Sequence, residues 1–173
     1  MAALIIVHPG SCMGSADFNL GRQYASVLRR DLTHDVARWP ANTPVGVIDG
    51  SLSDELAGTP LGQAIEDLVA RSAPGVRIRG CDSETFDQRQ AARALADKLG
   101  LLSGSTVHLT GAWSNSEHPH GGCLGSVRRI LEELGCRVIV RDSAFDEMEI
   151  EDMGDWDQPD DVETEEGDPE SDK

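Results

Sequence analysis

The sequence predicts an α/β domain with a doubly wound, mostly parallel sheet of about five strands and helices on both faces. Short aliphatic runs recur along the chain with amphipathic stretches of helical length between them. Glycines stand where two of those amphipathic stretches should stop, at Gly100 and Gly135. The segments after the aliphatic runs are rich in Gly, Ser, Cys, His and Asp, whereas those before them are plain connectors such as Ser72-Ala73-Pro74-Gly75 and Leu101-Leu102-Ser103-Gly104. That asymmetry suits a parallel sheet, in which ligands bind beyond the C-terminal ends of the strands.

In chain order, the expected strands are Ala3–Val7, Val45–Ile48, Val76–Arg79, Thr106–Leu109 and Arg137–Val140. The first helix is expected over roughly Asn19 to Leu32, with Leu20, Tyr24, Val27 and Leu28 at the spacing of one buried face. Leu61 to Ser72 forms the second, on Leu61, Ala64, Ile65 and Leu68. Asp82 or Ser83 can cap the third, which runs to Leu99. The fourth opens at Cys123 and turns Leu124, Val127, Leu131 and Leu134 inward. No internal repeat interrupts this Rossmann-like alternation.

With 173 residues, 39% of them hydrophobic and 4% aromatic, the chain can bury one aliphatic core, so one domain over residues 1–145 is expected. The formal charge of -16 is unevenly placed. Residues 146–173 hold 15 of the 31 acids and one of the 15 bases, which leaves 16 acids against 14 bases in residues 1–145. The acidic tail lacks apolar periodicity, repels itself and is expected to be disordered in isolation. It serves either as a solubilising extension or as a docking segment for a protein partner, with Met148, Ile150, Met153 and Trp156 as anchors. Such a tail argues against nucleic acid, whose phosphates require Lys and Arg. The run Ala2 to Val7 is too short to span a bilayer and follows no basic segment, so neither membrane insertion nor secretion is expected. Cys12, Cys81, Cys123 and Cys136 show no CxxC pairing, and reduced thiols in the cytoplasm are expected.

Cys123 is the leading candidate for chemistry. Backbone N–H groups at a helix start have no intrahelical partners and carry the positive end of the helix dipole, so a thiolate there is stabilised. The same groups, starting at Gly122, could hold a developing oxyanion. Its alternative is a small hydrophobe packed near the helix start. The loops expected at the same edge supply Ser11, Cys12, Asp49, Asp82, Trp113, His118 and His120 as substrate-binding candidates. For Asp49 and Asp82, turn or helix capping is the simpler role. His118, His120 and Cys123, completed by Cys12, Cys81 or His8, would also suit zinc, but the tight paired spacing of structural zinc sites is missing and no metal is expected. Gly10, Gly14 and Ser15 miss the GxGxxG spacing, so a nicotinamide cofactor is not expected either. The run Gly121-Gly122-Cys123-Leu124-Gly125-Ser126 leaves a smaller phosphorylated ligand open.

Leu109-Thr110-Gly111, Cys123-Leu124 opening a helix, Leu134-Gly135, and Val138-Ile139-Val140 running into Asp142-Ser143-Ala144 together resemble the C-terminal half of the isochorismatase-like cysteine hydrolases. Upstream, Val76-Arg77-Ile78-Arg79, then Phe86 and the stretch to Leu99-Gly100 resemble that family's strand, basic residue, Phe and helix. Ala3-Leu4-Ile5-Ile6-Val7 resembles its first strand. The resemblance implies that Cys123 is a nucleophile on a small amide, imide or related carbonyl compound, with no cofactor and with a tendency to form homo-oligomers. His8 stands at the family's usual Asp and Arg79 at its usual Lys, and the loop from Gly111 to Cys123 is longer than the family's link. A His8–Cys123 pair is sufficient for activation, since imidazole can take the thiol proton. Arg79 can hold an anionic group but cannot carry protons. The alternative is a catalytically inactive binding or regulatory module that keeps the scaffold and docks a partner through its acidic tail.

Overall fold

A computed structural model describes residues 1–10, 22–50, 53–80, 88–112 and 118–144. In chain order these form strand β1 (Ala2–Val7), helix α1 (Arg22–Arg38), β2 (Val45–Asp49), a 3₁₀ turn over Ser53–Leu56, α2 (Pro60–Ala70), β3 (Gly75–Arg79), α3 (Gln88–Leu99), β4 (Thr106–Gly111), α4 (Gly122–Glu133) and β5 (Arg137–Val140). All strand pairs are parallel, in the order β3-β2-β1-β4-β5. The fold is the doubly wound, Rossmann-like α/β arrangement that the sequence predicts, with a wholly parallel sheet.

The strand order dictates the layers. From β1 the chain steps one way through α1 and α2 to β3, then crosses back through α3 to β4 and on through α4 to β5. Right-handed crossovers place the two helix pairs on opposite faces. Two separate cores follow. One unites Leu4, Ile6, Val45 and Val47 of the sheet with Leu32 and Val36 of α1 and Leu61, Ile65 and Leu68 of α2. The other unites Ile5, Val7, Ile48, Val107 and Leu109 with Leu95 of α3 and Leu124, Val127 and Leu131 of α4. The central β1 is buried on both faces, as its unbroken aliphatic run requires.

Expected and observed strands agree to within a residue at each end except β4, which runs two residues past the expected Leu109 to Gly111, and α1 extends six residues beyond the expected stop at Leu32. Thr33, His34, Asp35 and Val36 are poor helix formers, but the buried Leu32, Val36 and Trp39 recur at helical spacing, and their packing outweighs local propensity. The helix stops before Pro40, which disfavours helical backbone at the residue preceding it. In α2, Thr59 is the N-cap, its hydroxyl accepting from the Gly62 N–H at 3.1 Å, with Pro60 at the first helical position. The expected cap of α3 at Asp82 or Ser83 lies outside the described residues, as do Leu20 and the acidic tail.

Candidate functional site

The edge formed by the C-terminal ends of the strands gathers the beginnings of α3 and α4. Cys123 is the second residue of α4, half-buried and packed against the core beneath α3 and α4. The N-cap residue is Gly121, which supplies no side-chain cap. Gly122 has φ of +66°, a backbone that an L side chain adopts only with strain, so this glycine sets the path that brings the sulfur to its position. Gln88, the first residue of α3, donates its Nε2–H to the Cys123 sulfur at 3.2 Å. The thiol thus has an N–H donor from one helix and stands in the first turn of another.

His8 follows β1 directly and is 2% exposed. Its φ is +46°, in the left-handed region where a non-glycine residue is uncommon. Its backbone N–H donates to the Ile48 carbonyl at 2.8 Å, and its ring packs so close to Gly50 that a Cβ there would stand 3.1 Å from it. The Nε2 atom lies 3.3 Å from the Gly80 carbonyl oxygen. A carbonyl only accepts, so Nε2 carries the proton and Nδ1 is the basic nitrogen. Burial holds the His8 pKa below its ordinary value, against the opposing pull of the Gly80 carbonyl and the Asp49 charge.

The remaining sequence-level candidates divide. Asp49 ends β2 and receives both Nε and Nη2 of Arg77, at 2.9 and 2.7 Å, so its immediate partner is a guanidinium rather than a turn amide. Arg79 ends β3 and reaches Asp54 at 3.6 Å, both side chains being largely exposed. His120 Nε2 lies 2.7 Å from Glu132, near the other end of α4. Glu132 is nine residues beyond Cys123, which at 1.5 Å per residue is roughly 13 Å along the axis, so the His120 ring is directed away from the sulfur. Gly122 and the backbone carbonyl of His118 border the same turn, the latter accepting from Gly121 N–H at 2.6 Å. Ser11, Cys12, Cys81, Asp82 and Trp113 lie outside the described residues. Among the described residues no three His, Cys, Asp or Glu side chains are grouped so as to hold a metal ion, and no helix is long and apolar enough to cross a membrane.

A second cluster escaped the reading of the sequence. On the α1 side of β4 and β5 an open cleft of about 760 Å³ is lined by Asp31, His34, Asp35, Trp39, His108 and Arg141, among others. Arg141 grips Asp35 through two nitrogens, one contact being Nε to Oδ2 at 2.9 Å, and its guanidinium lies 5.9 Å from the Trp39 ring centre. Ser143 donates to the same carboxylate at 3.0 Å and shares a 2.8 Å hydrogen bond with Thr110. Burial, aided by the Arg141 charge and opposed by Asp35, lowers the His108 pKa. Polar residues at every second position of β4, Thr106, His108 and Thr110, were the available signal, since they mark one face of that strand as something other than core.

Comparison with protein-family models, with curated proteins and with solved structures finds no match to this chain.

Proposed function

We propose that the protein is a cytoplasmic cysteine hydrolase, akin to the isochorismatase-like enzymes, that cleaves a small amide, imide or related carbonyl compound. The observation that carries this reading is the seat of Cys123. Its sulfur is in the first turn of α4 and accepts an N–H from Gln88, so both the helix terminus and an amide donor favour the thiolate. In the reaction, His8 takes the thiol proton through Nδ1 and the thiolate adds to the substrate carbonyl carbon. The N–H groups of Gly122 and Cys123 hold the oxyanion. The C–N bond then breaks, and the amine leaves with the proton from the His8 imidazolium. Water, deprotonated by His8, opens the thioester, and the carboxylic acid departs as the sulfur regains its proton. Arg79 holds an anionic substituent by leaving its exposed contact with Asp54.

The test is turnover of a panel of small amides and cyclic imides by the parent protein and Cys123→Ser. Turnover in the parent that disappears in the variant supports the nucleophile, and equal turnover in both refutes it.

A second reading, a non-catalytic module docking a partner through its acidic tail, is favoured by the engagement of His8 Nε2 with Gly80 and of Arg79 with Asp54. Rapid alkylation of Cys123 near pH 6 favours the hydrolase, and slow alkylation favours the module.

A further inference from the structure

The cleft between α1 and the β4–β5 edge is on the opposite face of the sheet from Cys123. Its lining Trp39 packs in the core with α1 and α2, whereas Cys123 packs in the core with α3 and α4. It also contains two unmet hydrogen-bonding groups. Among the described residues Trp39 Nε1 and His108 Nδ1 are buried side-chain atoms without a hydrogen-bond partner, and both residues line the cleft. Trp39 is only 9% exposed. The two rings meet edge to face, with centres 5.1 Å apart and planes at 62°. Most buried polar groups in folded proteins are paired, so two orphans on touching rings in the wall of one cleft point to an absent partner.

We propose that this cleft binds an uncharged nucleoside-like ligand, whose base presents a ring amide with its carbonyl accepting from Trp39 Nε1 and its N–H donating to His108 Nδ1. The base enters by parting the two rings, and the newly made hydrogen bonds offset the cost of separating them. Trp39, Pro40, Ile139 and Val140 provide the flat and aliphatic surfaces that a planar heterocycle needs. The volume of about 760 Å³ exceeds what a lone base fills, and Asp31, His34 and Asp142 at its walls suit ribose hydroxyls. Charge selects against anions. Three aspartates face two arginines, and one of these, Arg141, is already held by Asp35, so the walls carry a net negative charge that disfavours an anion. The chain's own tail, with 15 acids and one base over residues 146–173, is a poor occupant for the same reason.

The experiment titrates the full chain with uridine and, separately, with 3-methyluridine, which lacks the ring N–H. Binding is followed by calorimetry and by the indole N–H resonance of Trp39, assigned by its loss in Trp39→Phe. Uridine is expected to shift that resonance and to bind about tenfold tighter than 3-methyluridine, with a similar loss for uridine on Trp39→Phe, which retains a ring but no donor. The methylated ligand tests the proposal on the parent protein even where the variant fails to fold. Absence of heat and of any resonance shift up to about 10 mM uridine overturns the proposal, as does equal affinity for the two nucleosides. The result is independent of amide hydrolysis, because neither readout involves Cys123.

Discussion

Gly111→Ala should be among the most damaging single-methyl changes in the molecule. Gly111 is the last residue of β4 and pairs with Val7 across the β1–β4 ladder, the point where the sheet reverses its direction of growth. Its φ is +122°, a region essentially confined to glycine, where an L side chain costs about 1–3 kcal/mol. A Cβ there would also stand 2.0 Å from the Val7 carbonyl oxygen and 2.7 Å from the Val7 nitrogen, both backbone atoms that no rotamer change can move. Relieving the overlap must displace the carbonyl that accepts from Ala112 N–H at 2.9 Å, a loss of about 1 kcal/mol or more. Together these contributions come to roughly 2–4 kcal/mol, a large share of the ordinary stability of a domain. Urea unfolding followed by far-UV circular dichroism should show the midpoint falling by about 1–2 M at a typical slope of about 2 kcal/mol/M. A fall of less than about 0.5 M would show that β4 can end in another backbone conformation without disturbing β1, and the argument from its left-handed end would be wrong.

Two further outcomes are expected. The folded-state pKa values of His8 and His108 both lie below the unfolded value of 6.5, so the unfolded chain binds these protons first. Stability should be constant well above pH 6.5, fall as the pH drops through 6.5 toward the lowered values, and level off below them. Urea midpoints at about pH 7.5 and about pH 5.5 measure the drop, and the double variant His8→Asn, His108→Asn should flatten it. An undiminished drop in that variant assigns the effect to other groups. Separately, Gln88→Leu removes the N–H donor from the Cys123 sulfur, and iodoacetamide alkylation near neutral pH should slow by roughly fivefold, the worth of about 1 kcal/mol for a partly exposed charge-assisted bond. An unchanged rate would make the amide contact irrelevant to thiolate formation.

The sheet was legible because β-branched and aliphatic runs bounded by Gly, Pro and Asp leave little freedom in where a strand begins and ends. The end of α1 was less legible, because the residues from Thr33 to Val36 belong to a helix only by virtue of what Leu32, Val36 and Trp39 bury. Partners across the fold were not legible. The Arg77–Asp49 pair depends on a parallel register that sets Asp49 opposite Arg79, leaving Arg77 on the diagonal, and no local pattern encodes that register. Likewise, Gln88 is adjacent to Cys123 because α3 and α4 begin side by side, 35 residues apart in the chain. The position of Cys123 in the first turn of a helix was readable from Gly121-Gly122 and the stripe of Leu124, Val127 and Leu131, although Leu134, expected in the same stripe, is exposed; the direction of the His8 ring was not readable.

The polar cleft follows from topology and is no flaw of packing. Parallel strands bury both faces only where helices cover both. In the order β3-β2-β1-β4-β5, α1 and α2 cover one face over the half of the sheet that grows from β1 toward β3, while α3 and α4 cover the other. Among the described residues, no helix lies over β4 and β5 on the α1 side except the flank of α1 itself. The sequence matches that geometry position by position. β1, at the centre, is apolar on both faces, whereas β4 sends Val107 and Leu109 into the covered core and turns His108 and Thr110 to the open side. An uncovered strand face could be made harmless with Thr or Lys alone. This one instead carries an imidazole beside a buried indole, backed by an Asp35–Arg141–Ser143–Thr110 network that fixes the walls. Unmatched donors and acceptors are costly in a surface that only has to meet water, and they are what a binding site requires.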